Sequence, residues 1–114
     1  MNPVYQIRCD CETIDISRIV WLEGDWNYTR IYLIDRPVRL SAYTLKKYER
    51  ELSQFVRISK KAIVNPAYVR LLHSVSGRPG RTWLQLCDGK FIEVSRRRSS
   101  TVKGLFKGAG TMRE

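Results

Sequence analysis

Histidine and cysteine are scarce in this chain: His73 stands alone, and Cys9, Cys11 and Cys87 are the only thiols. A His-based acid–base scheme would rest wholly on His73, which has no recognisable partner by spacing. An odd cysteine count with a Cys-x-Cys pair is a poor disulfide framework. A zinc site takes about four ligands, and only His73 is on hand to join the three cysteines. Thiols packed as small apolar groups are the simpler reading. Asp10, Glu12 and Asp15 mimic a metal cluster, but nothing beside them suggests phosphoryl chemistry. There is no Gly-rich phosphate loop of Walker or Rossmann type. Neither an enzyme nor a bound cofactor or metal is expected. The sequence also lacks an apolar run of about 18 residues, the length a spanning helix needs. The start, Met1 to Arg8, lacks the basic-then-apolar order of a signal peptide. These absences predict a cytoplasmic protein without membrane insertion.

What is present fits one domain, 1–114, with one core. The chain has 114 residues, 43% of them apolar, enough for a folded globule. Charge is unevenly placed. The first 53 residues hold 8 Lys+Arg against 8 Asp+Glu, whereas the remainder hold 13 against 3. The whole formal excess of +10 thus lies in the second part. Such asymmetry points to a polyanionic partner. Nucleic acid is favoured over an anionic membrane or a generically basic surface.

The chain reads as many short strands. Val4–Arg8 and Thr13–Ile16 alternate. Ile19–Glu23 is mostly apolar, as in a strand buried on both faces. Gly24-Asp-Trp-Asn27 has turn chemistry and leads into the alternating Tyr28–Ile34, giving a hairpin. Val38–Leu40 is short. Between Ser41 and Gln54 the period changes: Leu45, Tyr48 and Leu52 fall on one helical face, with Ser41 or Thr44 as cap. Phe55–Ser59 and Ile63–Asn65 are strands, the second ended by Pro66, and Pro66–Tyr68 makes one turn. Val69–Val75 leads to a flexible hairpin tip at 76–81. Thr82–Cys87 and Lys90–Val94 flank Asp88-Gly89, the signal of a type I′ hairpin. A last helix follows Ser95, with Val102, Leu105 and Phe106 on one face. Gly108-Ala-Gly110 ends it, and the tail 107–114 is expected to fray. Short hairpin loops leave no room for crossover helices, so most pairings should be antiparallel.

Positive charge gathers in the loops. Ser59-Lys60-Lys61 lies between two apolar runs, and unpaired ammonium groups are too costly to bury. The loop therefore holds charge at the surface, where lysines act as point charges towards phosphate. In Ser95-Arg-Arg-Arg98, three arginines occupy a first helical turn, the wrong sign for the helix dipole. The arrangement makes sense if an anion is expected there. Arginine also pairs bidentately with guanine in the major groove. At the first hairpin's end, Asn27, Thr29 and Arg30 are candidates for base edges or phosphates, with Trp26 and Tyr28 read as packing groups. Lys46 and Lys47 open the first helix, within reach of a nucleic-acid backbone.

Five stretches, in order and spacing, resemble the LytTR DNA-binding domain, the output module of many bacterial response regulators. They are Ile19-Val-Trp-Leu-Glu-Gly-Asp-Trp-Asn-Tyr28, Thr44-Leu45, Phe55-Val-Arg-Ile58, Ile63-Val-Asn65 and Val94-Ser-Arg-Arg97. The resemblance spans about residues 10–106. It implies a mainly β fold, an elongated arrangement of small, mostly antiparallel β-sheets with one or two short helices. It also implies a sequence-specific, double-stranded DNA-binding transcription regulator whose loops enter successive major grooves.

Carried over by motif, base readout falls on Thr29 and Arg96, with Asn27 and Arg30 beside the first. Phosphate contact falls on Lys60, flanked by Ser59 and Lys61, with Arg97 and Lys46 added. The chain departs from the family at Ser59, where His is frequent, and at Lys61, where Ser is. Two molecules per repeated operator are implied. The usual receiver domain does not fit in 114 residues, which leaves a stand-alone regulator or the output domain of a longer two-component protein. If the former, a partner protein would have to regulate it. The alternative from a different class is an RNA-binding module of a ribonucleoprotein, with Trp26 or Tyr28 stacking on bases.

Overall fold

Ile19, Val20, Trp21 and Leu22 are consecutive, and none is more than 5% exposed. A strand can bury four successive side chains only if both its faces are covered. The computed structural model, which describes residues 6–77, 80–106 and 110–113, supplies a cover on each side. Its elements are β1 (Gln6–Cys9), β2 (Glu12–Asp15), β3 (Ile19–Asp25), β4 (Tyr28–Leu33), β5 (Arg39–Ser41), α1 (Leu45–Glu51), β6 (Val56–Ser59), β7 (Ala62–Val64), β8 (Val69–Val75), β9 (Arg81–Leu86), β10 (Phe91–Val94), α2 (Arg96–Leu105) and β11 (Gly110–Arg113). They form a two-stranded sheet β1-β2, a five-stranded sheet β5-β4-β3-β7-β6, and a four-stranded sheet β10-β9-β8-β11.

The five-stranded sheet is the middle layer. One face carries Ile19, Leu22, Ile31 and Ile63 against Ile7, Cys9 and Ile14 of the β1–β2 hairpin and Leu45, Tyr48 and Leu52 around α1. The other carries Val20, Trp21, Ala62 and Val64 against Leu72, Leu84, Leu86, Ile92 and Val94 of the four-stranded sheet and Val102 and Phe106 around α2. A register shift between Ile19 and Trp21 helps send these neighbours to their two cores. The expectation of one core becomes two, stacked along a molecule of 46 × 29 × 28 Å. That elongation and the sheet arrangement agree with the fold expected. Every pairing is antiparallel except β8 with β11.

Local chemistry explains the joints. Asn65 ends β7, donates from Nδ2 to the Ile19 carbonyl at 2.8 Å and accepts from Ala67 N–H at 3.0 Å. It thereby caps the Pro66–Tyr68 turn while tying that turn to β3. Thr44 is the cap of α1, accepting from Lys47 N–H. Ser41 instead turns inward to the Tyr48 hydroxyl at 2.6 Å. The helix is shorter than the roughly three turns its periodicity suggested, because Leu52 already leaves helical geometry.

Four expectations need correction. The Asp88-Gly89 hairpin is not type I′: only Gly89 has positive φ, at 91°. Gly89 N–H closes on the Leu86 carbonyl, and Leu86 N–H on that of Lys90, which makes a three-residue loop. Leu105 does not share the buried face of α2 and is 60% exposed. The tail does not simply fray, since Gly110–Arg113 pairs parallel with Leu71–Ser74 and covers an otherwise open sheet edge. Nor is Trp26 a packing group: it is 96% exposed, and Tyr28 beside it is also exposed. Residues Val4, Tyr5, Arg78, Pro79, Gly108 and Ala109, which entered the sequence reading, lie outside the described residues. Among the described residues, no helix is long and apolar enough to cross a membrane.

Candidate nucleic-acid interface

The β6–β7 turn is the centre of the basic surface. Ile58, Ala62, Ile63 and Val64 of its strands are buried in the cores, while Lys60 and Lys61 between them are exposed. Ser59 Oγ accepts from Lys61 N–H at 3.2 Å and shapes the turn from within. Arg57 does more. Its guanidinium donates to the carbonyls of Ser59 at 2.7 Å and Lys60 at 2.6 Å, and to Glu49 of α1 at 2.6 Å. Its side chain is only 15% exposed. The planar fork thus occupies carbonyls that would otherwise face an incoming anion, and anchors the turn to the helix.

Two further loops are tied to this turn through the backbone. Gly24 N–H, near the end of β3, donates to the Lys61 carbonyl at 2.7 Å. A Cβ on Gly24 would meet Leu45 Cδ2 at 3.3 Å, so a side chain here would need Leu45 to give way by a few tenths of an ångström. On the other side, Ser95 N–H donates to the Ile58 carbonyl at 2.9 Å. Three loops distant in sequence are thereby fixed side by side.

Two concavities follow. One of about 590 Å³ lies between Ser59–Lys61, Gly80-Arg81 and Glu93–Arg96. The other, about 490 Å³, lies between Gly24–Trp26, Thr44–Lys46, Arg57 and Lys60-Lys61. Lys60 and Lys61 line both. Arg96, Lys60 and Lys46 therefore share one continuous edge, with the tip of the β3–β4 hairpin at its end.

Arg96, Arg97 and Arg98 are all exposed. No ion pair engages them among the described residues. Ser95 occupies the cap position of α2, but its side chain makes no capping bond. Helix-terminal N–H groups and three unneutralised guanidinium groups are thus left at the same place, a setting suited to phosphate. Val102 and Phe106 in the core and a 2.8 Å bond between Thr82 Oγ1 and Ser99 Oγ hold the helix there.

The hairpin residues divide. Asn27 is exposed at the tip. Thr29 is 0% exposed and donates from Oγ1 to the Tyr43 carbonyl at 2.9 Å. It alternates with Ile31 on the core face, so its side chain is structural and not at the edge. This corrects its placement among the readers. Arg30 points to the other face, where Nη2 pairs with Asp25 at 2.8 Å and Nη1 lies 3.7 Å from Glu23. Its charge is already engaged. Lys46 is exposed and lines the second concavity. Lys47 is turned away, 2.7 Å from Glu51 and over the Tyr43 ring.

Sequence reasoning missed Arg57 and Arg81. Arg57 stands two residues before the loop it clamps, in a strand where a half-buried cation has no periodic signature. Arg81 lines the first concavity, 3.9 Å from Glu93; its place in a turn-rich basic segment was the available signal. Away from the edge, His73 packs beside Trp83 with ring centroids 5.4 Å apart. Cys9 is buried, Cys11 and Cys87 are exposed, and all three are free thiols.

An edge of exposed lysines and arginines carried on small, mostly antiparallel sheets is a surface suited to a polyanion. The chain belongs to the LytTr DNA-binding domain family, which matches residues 10–107. DNA binding in transcription regulation is the function that membership gives it, in a family that is not catalytic. Among solved structures, it is similar to the LytTr DNA-binding domain of a Bacillus cereus protein described as a methyl-accepting/DNA response regulator. That likeness has a TM-score of 0.69 and 19% identity, over 89% of this chain and 94% of the other. No curated protein matches the sequence. Nothing in these comparisons supports the RNA-binding alternative.

Proposed function

We propose that the chain is a sequence-specific, double-stranded DNA-binding transcription regulator that reads its site with loops. The observation that carries this is the backbone-tied row of Gly24, Lys61, Ile58 and Ser95. It places the β3–β4 tip, the Lys60-Lys61 turn and the arginines of α2 along one edge. Lys60, Lys61, Lys46 and Arg97 contact phosphates and supply affinity. Arg96 reads a base edge, with guanine O6 and N7 the natural match for its fork. Asn27 reaches the groove at the hairpin end. Ser59 shapes the central turn, and Arg30 adds a base contact only by exchanging Asp25 for DNA.

The loops enter successive major grooves, and the long axis of 46 Å is long enough for the molecule to lie along roughly 34 Å of one helical turn. Two molecules occupy a repeated operator. Selection of bound sites from a random duplex library tests sequence preference and half-site spacing together. With about five phosphates neutralised per molecule, log K falls with log salt at a slope of roughly −4 to −5. A slope near zero, or no enrichment of any sequence, refutes the reading. Competition with single-stranded RNA should leave the duplex complex intact.

A further inference from the structure

Trp26 is the first central residue of the two-residue β3–β4 turn, in which Asp25 pairs with Tyr28; such a turn accounts for a positive φ but not for an indole standing there. It is 96% exposed, the largest side chain in the sequence standing almost wholly in water. Its φ is +58°, a left-handed conformation that bulky residues rarely adopt. Strained backbone of this kind costs stability and collects at functional positions. The other tryptophans are accounted for within the fold. Trp21 is buried and stacked on Tyr32 with ring centroids 4.4 Å apart, and Trp83 packs beside His73.

The position of Trp26 supplies the missing reason. It forms part of the wall of the concavity that Lys46, Lys60 and Lys61 also line. Gly24, two residues earlier, is bonded to Lys61, so the backbone that carries the indole is tied to the lysine turn. A flat apolar ring beside cations matches a surface that alternates charged and apolar groups. Duplex DNA offers such a surface: phosphates flank the major groove, whose apolar feature is the thymine methyl group.

We propose that Trp26 is a DNA contact that packs its indole against thymine methyl groups in the major groove, adding an A·T preference at one end of the site. This rests on the duplex-DNA reading above. The contact is apolar, so it changes affinity without changing the number of phosphates neutralised.

The test uses the full chain, the selected duplex and Trp26→Asn. Asparagine tolerates positive φ, so the variant keeps the hairpin and its thermal midpoint should equal or exceed that of the parent. The variant is expected to bind about tenfold more weakly with an unchanged salt slope. Replacing thymine by uracil throughout the duplex should weaken the parent severalfold and the variant little. Acrylamide quenching, taken as parent minus Trp26→Asn, should show the indole shielded in the saturated complex. Equal affinities of parent and variant, an indole still quenchable when bound, or the same uracil penalty for both would each overturn the proposal while leaving DNA binding intact. Failure of the parent to bind any duplex would remove the proposal and the functional reading together.

Discussion

The N–H of Ser95 donates to the carbonyl of Ile58 at 2.9 Å, joining the start of the arginine-rich helix to the strand that leads into Lys60. Four strands, β7 to β10, separate the two along the sequence. The bond makes the relative placement of Arg96 and Lys60 a property of the backbone, independent of any ligand. Little ordering is then left to be done when DNA arrives, which favours tight association.

Arg96 and Lys60 should nevertheless fail differently when removed. Arg96→Ala is expected to lower specific affinity by about 1–3 kcal/mol and to flatten discrimination among bases, because a bidentate partner is lost. Lys60→Ala should weaken all sequences alike and reduce the magnitude of the salt slope by about 1. Titrations of the selected site and a scrambled one, each at several salt concentrations, separate the two. Undiminished affinity of Arg96→Ala for the preferred site would remove it as the reader.

Arg57 offers a prediction that charge counting does not. Its three hydrogen-bonded partners, Ser59, Lys60 and Glu49, fix the central turn, and it is too covered to meet phosphate directly. Arg57→Met should lower DNA affinity by about 1 kcal/mol or more through disorder of the turn, with the salt slope preserved, and cost about 1–2 kcal/mol of stability. Arg57→Lys should not restore either, since one ammonium cannot reproduce the fork. A reduced salt slope in Arg57→Met would show instead that Arg57 is itself a phosphate contact.

Much of this was legible in the sequence, for identifiable reasons. The apolar runs on either side and the cost of burying lysine put Lys60-Lys61 outside. Helical period found Leu45 and Tyr48. Pairing between distant segments was not legible: β3 with β7, or Ser95 with Ile58, depends on backbone geometry that no local pattern encodes. Thr29 was misplaced although the clue was present, because a residue alternating with Ile31 must share its face. Trp26 was taken as a packing group because exposure of so large an apolar ring runs against its usual preference. Both departures fall at the hairpin tip, where packing and binding make competing demands on the same few residues.

Tyr48 gives the fold an alkaline limit. Burial, then its hydrogen bond with Cys9, pushes the Tyr48 phenol well above its ordinary value; burial raises Tyr32 and Tyr68 as well. Unfolded phenols ionise near pH ~10, so the unfolded chain loses these protons first. Stability is therefore full below about pH 10 and declines as the pH rises beyond it towards the folded values. Urea midpoints between pH ~7 and ~11 should show the decline. Tyr48→Phe should flatten it while losing about 1 kcal/mol at neutral pH, because Ser41 Oγ loses its 2.6 Å partner. An alkaline slope identical in parent and Tyr48→Phe would assign the effect to other groups.

Thr29 provides the sharpest contrast between sequence position and physical role. Motif placement put it at the hairpin-end contact, yet its hydroxyl is spent on the Tyr43 carbonyl and its methyl lies on the core side with Ile31. Reading a base would require breaking that bond and turning the side chain through the sheet, which a β-branched residue in a paired strand resists. Thr29→Val keeps the shape and removes only the hydroxyl, leaving the Tyr43 carbonyl short of a donor. The expected result is a loss of about 1–2 kcal/mol in unfolding free energy, with the preferred operator sequence unchanged in a repeated site selection. A shifted base preference at the hairpin end, with stability intact, would return Thr29 to the set of readers and require the hairpin to rearrange on DNA.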